Sequence, residues 1–203
     1  MVISYIYKKF KENETLPTLA LARIFVVLPY DDLKPVDRHE LGNRIPIDAP
    51  RYLTLVGTIG KNEEWNRRER SRNHRVIPLP QTAEELESIP MLAEMFRRMD
   101  VDYRRIVNPA SFSDIQQMIE GYMLEERAEG SPFIPAQEDF VEPYGVKSEL
   151  GYGGFLPSGA VYTCFLFFTA PLSQAEANKL KVISAAIQQT LLPYDAEKKY
   201  WGK

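Results

Sequence analysis

Side chains that carry out catalysis or bind metal ions are scarce in this sequence. It contains two histidines, His39 and His74, and one cysteine, Cys164. The histidines lie far apart, and neither belongs to an HExxH pattern or to another spacing typical of zinc sites. Cys164 stands among apolar and aromatic residues, where an inert, buried thiol is expected. We therefore predict no catalytic residue and no metal site.

A glycine-rich segment, GYGGFLPSG at Gly151–Gly159, is the nearest approach to a phosphate-binding loop. Such loops place their glycines between a strand and the start of a helix, so that the helix N-terminus meets the phosphate. Here Pro157 and a second apolar segment follow instead. Ser158 also lacks the GxSxG context of a nucleophile. The pattern favours a hairpin turn over a phosphate site.

The arginine-rich segment Arg67–Arg75 is locally basic, but acidic residues lie beside and within it. The whole chain has a net charge of −3 and an isoelectric point near 5.6, so we expect no general attraction to nucleic acid. A solvated loop is the simpler interpretation of this segment. Binding of a phosphate or carboxylate ligand is the alternative.

Four aromatic or imidazole side chains form the best candidate site. If the arginine-rich segment and the middle of the chain fold over one face of a sheet, Trp65, His74, Tyr144 and Tyr152 would line a cleft. Ring faces and single hydrogen bonds at such a cleft orient small ligands. The alternative is that these residues are ordinary core and surface aromatics.

These residues need a sheet to position them, and its centre is predicted at Pro143–Phe168. Val146–Tyr152 and Ala160–Phe168 read as paired strands joined by a turn that begins at Gly153 and Gly154. The second strand has few polar side chains, which predicts burial on both faces in the middle of the sheet.

The remaining elements follow from periodicity, capping residues and proline. We predict an amphipathic helix over 2–11; strands at Leu19–Leu28, Tyr52–Ile59 and Val76–Leu79; helices starting at Thr82, Pro90 and Ser111, the last ending at Tyr122; a loop over Glu125–Ser131; a helical turn at Ala136–Val141; and a helix from Ser173 to Leu192 that Pro193 ends.

The fold class that this order predicts is α+β, an antiparallel sheet flanked by helices, with one domain over residues 1–194 and an exposed tail over residues 195–203. The length of 203 residues and the 44% hydrophobic content suit a single globular core. The sequence has no signal-peptide pattern and no apolar run of the length that a membrane helix requires. With one cysteine, a cytoplasmic protein without membrane contact is the expected class.

Several blocks resemble the GAF-like N-terminal sensory domain of bacterial PAS and histidine kinase signalling proteins. They are ALARIFVVLPYDDL at Ala20–Leu33, YLTLVGTIGKNEEWNRRERSRNHRVIPLP at Tyr52–Pro80, IPMLAEMF at Ile89–Phe96 and the segment Ser131–Phe168. The first block is less basic than the family pattern, so we expect a polar group that relatives contribute from this strand to be missing here.

This resemblance implies a GAF-like fold, with the N- and C-terminal helices packed on one face and a cleft under loops on the other. It also implies a sensory function without catalysis, in which a small molecule of unknown identity or a signalling protein such as a histidine kinase binds. Arg68 matches the family pattern and completes the predicted ligand-binding set of Trp65, Arg68, His74, Tyr144 and Tyr152. The terminal helices suggest a homodimer, for which the stripe of Leu180, Ile183, Ile187 and Leu191 is the candidate surface.

Two alternatives remain open. One is an interaction or dimerisation module that binds no ligand. The other is a small enzyme such as the GAF-like methionine sulfoxide reductases, which depend on several cysteines, whereas this chain has one.

Overall fold

A computed structural model of the chain describes residues 2–42, 51–71, 74–98, 100, 102–108 and 121–200. Six strands form one antiparallel sheet in the order β3-β2-β1-β6-β5-β4. The strands are β1 Leu19–Leu28, β2 Tyr52–Gly60, β3 Val76–Pro78, β4 Gly121–Glu125, β5 Ser148–Phe155 and β6 Val161–Phe168. The predicted α+β class is confirmed. Every residue of β6 is buried, as predicted for a strand in the middle of the sheet.

Eight α-helices surround the sheet within the described residues. They are α1 Val2–Glu12, α2 Pro35–Leu41, α3 Ala83–Leu86, α4 Pro90–Arg98, α5 Tyr103–Val107, α6 Glu142–Tyr144, α7 Gln174–Leu180 and α8 Val182–Glu197. Short 3₁₀ helices follow β1 and β2, and a π-helix at Gln137–Val141 precedes α6. Among the described residues, no helix combines the length and the apolar character needed to cross a membrane.

Alternate residues of each strand divide the core into two layers. On one side, which we call the helix-covered face, residues such as Ala22, Ile24 and Val26 pack with α1, α7 and α8. On the other, the loop-covered face, residues such as Phe25 and Val27 pack with α4, α5 and the connections between strands.

The side chains predicted to form a dimer surface pack inside the chain instead. Leu180, Ile187 and Leu191 are buried in the core of the helix-covered face, and Ile183 packs partly buried against it. These side chains therefore cover their own sheet, because α7 and α8 bury the same stripe that their periodicity displays.

Two glycines that we predicted to form the hairpin turn are strand residues. Gly153 pairs with Thr163 and Gly154 with Tyr162, so β5 continues to Phe155. The turn needs a positive φ only at Gly159, where φ is 84°. A tight turn over residues 156–160 is therefore enough to join β5 to β6.

Pro193 does not end the last helix, contrary to prediction. It lies inside α8, which continues to Glu197. Proline removes a backbone donor and frees the carbonyl one turn earlier, that of Gln189. Both residues are exposed, so water can hydrogen-bond that carbonyl. Asp195, where we predicted an exposed tail to begin, is buried and accepts a hydrogen bond of 2.9 Å from the Ser158 backbone N–H.

Helix starts were predicted more accurately than the middle of the chain. Ser173 and Glu176 form the predicted capping box, whereas Glu85 accepts from the Gln81 N–H rather than from Thr82. The predicted last helix is divided at Lys181 into α7 and α8. Residues 111–120 of the helix predicted at Ser111 lie outside the described residues. Its last residue, Tyr122, is in β4, a strand that the prediction missed.

Candidate functional site

Trp65 and Tyr144 are brought together from distant parts of the chain. Their ring centroids are 4.3 Å apart, and Phe140 stands 5.5 Å from Trp65. Asn62 donates a 3.1 Å hydrogen bond to the Tyr144 hydroxyl. A Cβ at Gly60 would lie 2.7 Å from the Trp65 ring, so only glycine permits this close approach. Trp65 is partly buried and Tyr144 exposed, so the pair forms an accessible aromatic patch.

Arg68 is held by the protein itself. Its two terminal nitrogens donate to the Asp37 carboxylate at 3.0 and 2.6 Å, and its Nε donates to the Leu55 carbonyl. Arg75 forms a second ion pair with Asp37 at 2.9 Å, and Asp37 is fully buried. This arrangement fastens the arginine-rich segment to α2 and β2, so these contacts of Arg68 position the loop.

His74 lies near Arg23, a residue that was not among the predicted site residues. It is exposed, and its backbone N–H donates to the Ser71 carbonyl at 3.0 Å. Loss of hydration, followed by the positive charge of Arg23, lowers the pKa of the His74 imidazole. Because His74 is exposed, solvent screens part of this effect. The ring is therefore neutral at pH 7.

Tyr152 is not part of this group. It is fully buried on the helix-covered face, where its hydroxyl donates a 2.7 Å hydrogen bond to the Leu180 carbonyl. Its backbone pairs with Cys164 of β6, which is also buried. Burial raises the pKa of the Cys164 thiol, so the reactive thiolate is disfavoured.

Arg23 extends from the middle of β1 toward the loop-covered face. Its cross-strand neighbours are Thr58 and Phe165, neither of which is acidic. The Nε atom is buried and has no hydrogen-bond partner in the described structure. Burial lowers the pKa of Arg23 to about 10, still far above neutrality. A cation is thus placed at the centre of the sheet.

Two further polar side chains on the same face are fully buried. Thr163 lies opposite Phe25, two residues from the position that faces Arg23, and its hydroxyl has no partner within the described ranges. Neither carboxylate oxygen of Glu149 has a hydrogen-bond partner there. Burial, and then the charge of Glu125, raises the pKa of Glu149 well above its ordinary value.

The sequence contained a signal for these residues. Arg23 is the single charged residue of LALARIFVVL, and Thr163 lies in the strand predicted to be buried on both faces. The strand thus contributes a polar group of its own, and our expectation that a polar group of the relatives is missing from it stays a prediction. A charged residue inside a strand buried on both faces needs a partner, and that requirement is the signal.

A cavity of about 270 Å³ lies at the far end of β1 from Trp65. It is lined by residues including Pro29, Asp32, Arg51, Ser158, Lys198 and Tyr200. None of the five predicted ligand-binding residues lines it. In the part of the chain that the structure describes, no group of three or more His, Cys, Asp or Glu side chains could hold a metal ion.

Comparison with known proteins gives no family for this chain. No protein-family model matches the sequence, and no curated protein matches it either. The resemblance to GAF-like domains thus stays a prediction.

Proposed function

We propose that this chain is a non-enzymatic sensory or regulatory domain of GAF-like type that binds a small molecule beneath the loop-covered face. One observation carries the proposal, namely that Arg23, Thr163 and Glu149 bring to that face buried polar atoms that have no hydrogen-bond partner among the residues the structure describes. Unmatched groups of this kind are costly and rare, because each loses its hydration without compensation. A polar ligand that supplies the missing partners explains why they are kept.

The architecture is consistent with such a domain. The N-terminal helix α1 and the last helices, α7 and α8, pack together on the helix-covered face. The candidate site uses the opposite face, and each strand contributes side chains to both. A ligand that shifts β1 or β6 would therefore act on the terminal helices, through which we propose that the domain signals to a partner such as a histidine kinase in the cytoplasm.

The aromatic patch of Trp65 and Tyr144 belongs to the same proposal. It lies where the loop after β2 meets the π-helix and α6, and Phe140 connects it to Phe167 of β6 at 5.0 Å. Aromatic rings at the entrance of a polar site favour ligands that have a flat apolar part. Such contacts would place this part of the ligand at the exposed edge of the site.

Native mass spectrometry of protein purified from its own host tests the proposal. We expect a retained small molecule, seen as a difference between native and denatured mass. Thr163→Val should reduce its occupancy, because the hydroxyl would be a ligand partner. Tyr162→Phe is the matched control, since Tyr162 lies on the neighbouring position of β6 but faces α8, where its hydroxyl is 3.3 Å from the Ser184 hydroxyl.

A module that binds no ligand and acts through protein contacts is the second candidate. The continuous apolar cluster around Phe25, Met95 and Phe165 on the loop-covered face favours it, because these side chains fill much of the space themselves. A clean apo mass together with a homodimer in sedimentation would support this function. An apo monomer at high concentration would count against both candidates.

A further inference from the structure

Arg23 has no acidic partner among the described residues, so a ligand at this position would supply the negative charge. In the parts of the chain that the structure describes, it forms no ion pair and its Nε has no hydrogen-bond partner. The backbone pairs of Arg23 are Thr58 on β2 and Phe165 on β6. Arg23 is partly buried, and a guanidinium that loses part of its hydration without gaining an anion is unfavourable.

Two buried acidic groups of the described residues do not pair with Arg23. Asp37 is bound by both Arg68 and Arg75. Glu149 lies on β5, with β6 between it and β1, and the charges that shift its pKa are those of Glu125 and Arg98. Among the described residues, Arg23 thus brings a positive charge to the loop-covered face without an acidic partner of its own.

Hydrogen-bond donors complete this environment. Thr163 is a diagonal neighbour of Arg23 on the same face, a relation that places Cα atoms about 7 Å apart. Its hydroxyl has no partner among the described residues, and the same holds for the buried hydroxyl of Ser71, which precedes His74 in the same loop. A guanidinium with neighbouring hydroxyl donors is the arrangement that binds carboxylate and phosphate groups.

We infer that the ligand of the loop-covered face is an anion whose carboxylate or phosphate group is bound by the Arg23 guanidinium and the Thr163 hydroxyl. This inference rests on the proposed function and specifies the chemistry of its ligand. The aromatic patch then faces the remainder of the same molecule.

Inorganic phosphate and acetate are suitable probes, with chloride at equal ionic strength as the reference. We expect phosphate or acetate to raise the Tm of the protein by about 3 °C or more at tenfold excess over its Kd, beyond any effect of chloride. The Arg23 Nε–H signal, assigned in the wild-type protein by through-bond correlation to the Arg23 backbone amide, should shift in the NMR spectrum on titration. The two probes decide between phosphate and carboxylate recognition.

Arg23→Gln should weaken binding of the effective anion at least about tenfold. Arg23→Lys should restore part of it, because the charge is kept while the forked geometry is lost. Arg104→Gln is the control, since Arg104 is an exposed arginine whose side chain is 79% accessible. If Arg23→Gln fails to fold, the titration of the wild-type Nε–H signal still decides.

The outcomes separate this inference from the proposed function. An anion effect that persists in Arg23→Gln overturns the inference, because the anion then binds elsewhere. No anion effect together with a retained neutral molecule overturns the inference and leaves the proposed function standing. No anion effect together with a clean apo mass overturns both.

Discussion

On the helix-covered face, the buried hydroxyl groups are paired. Tyr152 donates to the Leu180 carbonyl, Tyr162 meets Ser184, and Ser148 donates to the Ala170 carbonyl at 2.8 Å. On the loop-covered face, Arg23 and Thr163 bring buried polar atoms to a site where no partner is found among the described residues. The three hydroxyl groups named on the helix-covered face are therefore matched, whereas Arg23 and Thr163 on the loop-covered face are not matched by any described residue.

This difference has a physical cause. A face packed only for stability retains buried polar groups when the fold itself can satisfy them, because an unmatched group costs about 1–3 kcal/mol. A face built for binding can keep unmatched groups, because the ligand supplies the missing bonds. The comparison therefore supports the proposal that the loop-covered face binds a ligand, whereas the polar contacts of the helix-covered face hold the fold together.

The largest effect is expected at the ion cluster that fastens the loop. Asp37→Asn removes the carboxylate charge that Arg68 and Arg75 share, so two nearly buried guanidinium groups lose their common ion pair. We expect a loss of about 3–5 kcal/mol in the free energy of unfolding, measured by urea denaturation. Asp31→Asn, at an exposed position, is the control. A loss below about 1 kcal/mol would show that the loop is held by other contacts.

The buried Glu149 on the loop-covered face should make the stability of the protein depend on pH. Its pKa is raised in the folded protein, so folding favours the protonated form. This contribution to stability is complete below the ordinary value of 4.5 and is lost as pH rises toward the folded pKa. We expect the free energy of unfolding to fall by about 1.4 kcal/mol per pH unit in that window.

Urea denaturation of wild type and Glu149→Gln between pH 5 and pH 8 measures this contribution. The variant should lack most of the decline, and Glu125, whose pKa is raised in the same direction, should account for a smaller remainder. Glu176→Gln is the control: hydrogen bonds from Ser173 lower the pKa of Glu176, so its contribution changes only below the ordinary value of 4.5 and the variant should follow the wild-type slope between pH 5 and pH 8. Parallel profiles for wild type and Glu149→Gln would contradict the prediction.

A matched pair of substitutions tests the comparison directly. Tyr152→Phe removes a hydrogen bond on the helix-covered face and should cost about 1 kcal/mol. Thr163→Val replaces an unpartnered hydroxyl by a methyl group of similar size, and should be neutral or stabilising in the apo protein. Thermal denaturation of both variants measures the difference. Equal losses would mean that the two faces do not differ in this respect.

The smallest effect on stability is expected at the rim of the site. Tyr144→Phe loses only the hydrogen bond from Asn62 at an exposed position, so the free energy of unfolding should change by less than about 0.5 kcal/mol. Its effect on ligand binding, and that of His74→Ala, should exceed the effect on stability. Binding titrations beside denaturation curves separate the two. If either variant fails to fold, that residue belongs to the core instead.

Local patterns predicted much of the fold. Strand β1 was predicted with its observed bounds, and the Ser173 capping box and the start of α4 at Pro90 were also correct. These features depend on residues within a few positions of one another. The candidate site was predicted less well, because Trp65 and Tyr144 are neighbours whereas Tyr152 faces the other side of the sheet.

The sequence by itself determined where the strands lie and where helices begin, because side-chain periodicity and capping are local properties. Only the tertiary structure decided which buried polar groups find a partner. Tyr152 and Thr163 are both predicted as strand residues. The Tyr152 hydroxyl finds the Leu180 carbonyl of α7, whereas the Thr163 hydroxyl finds no partner among the described residues. Pairing of this kind depends on elements distant in sequence, and local pattern carries no information about it.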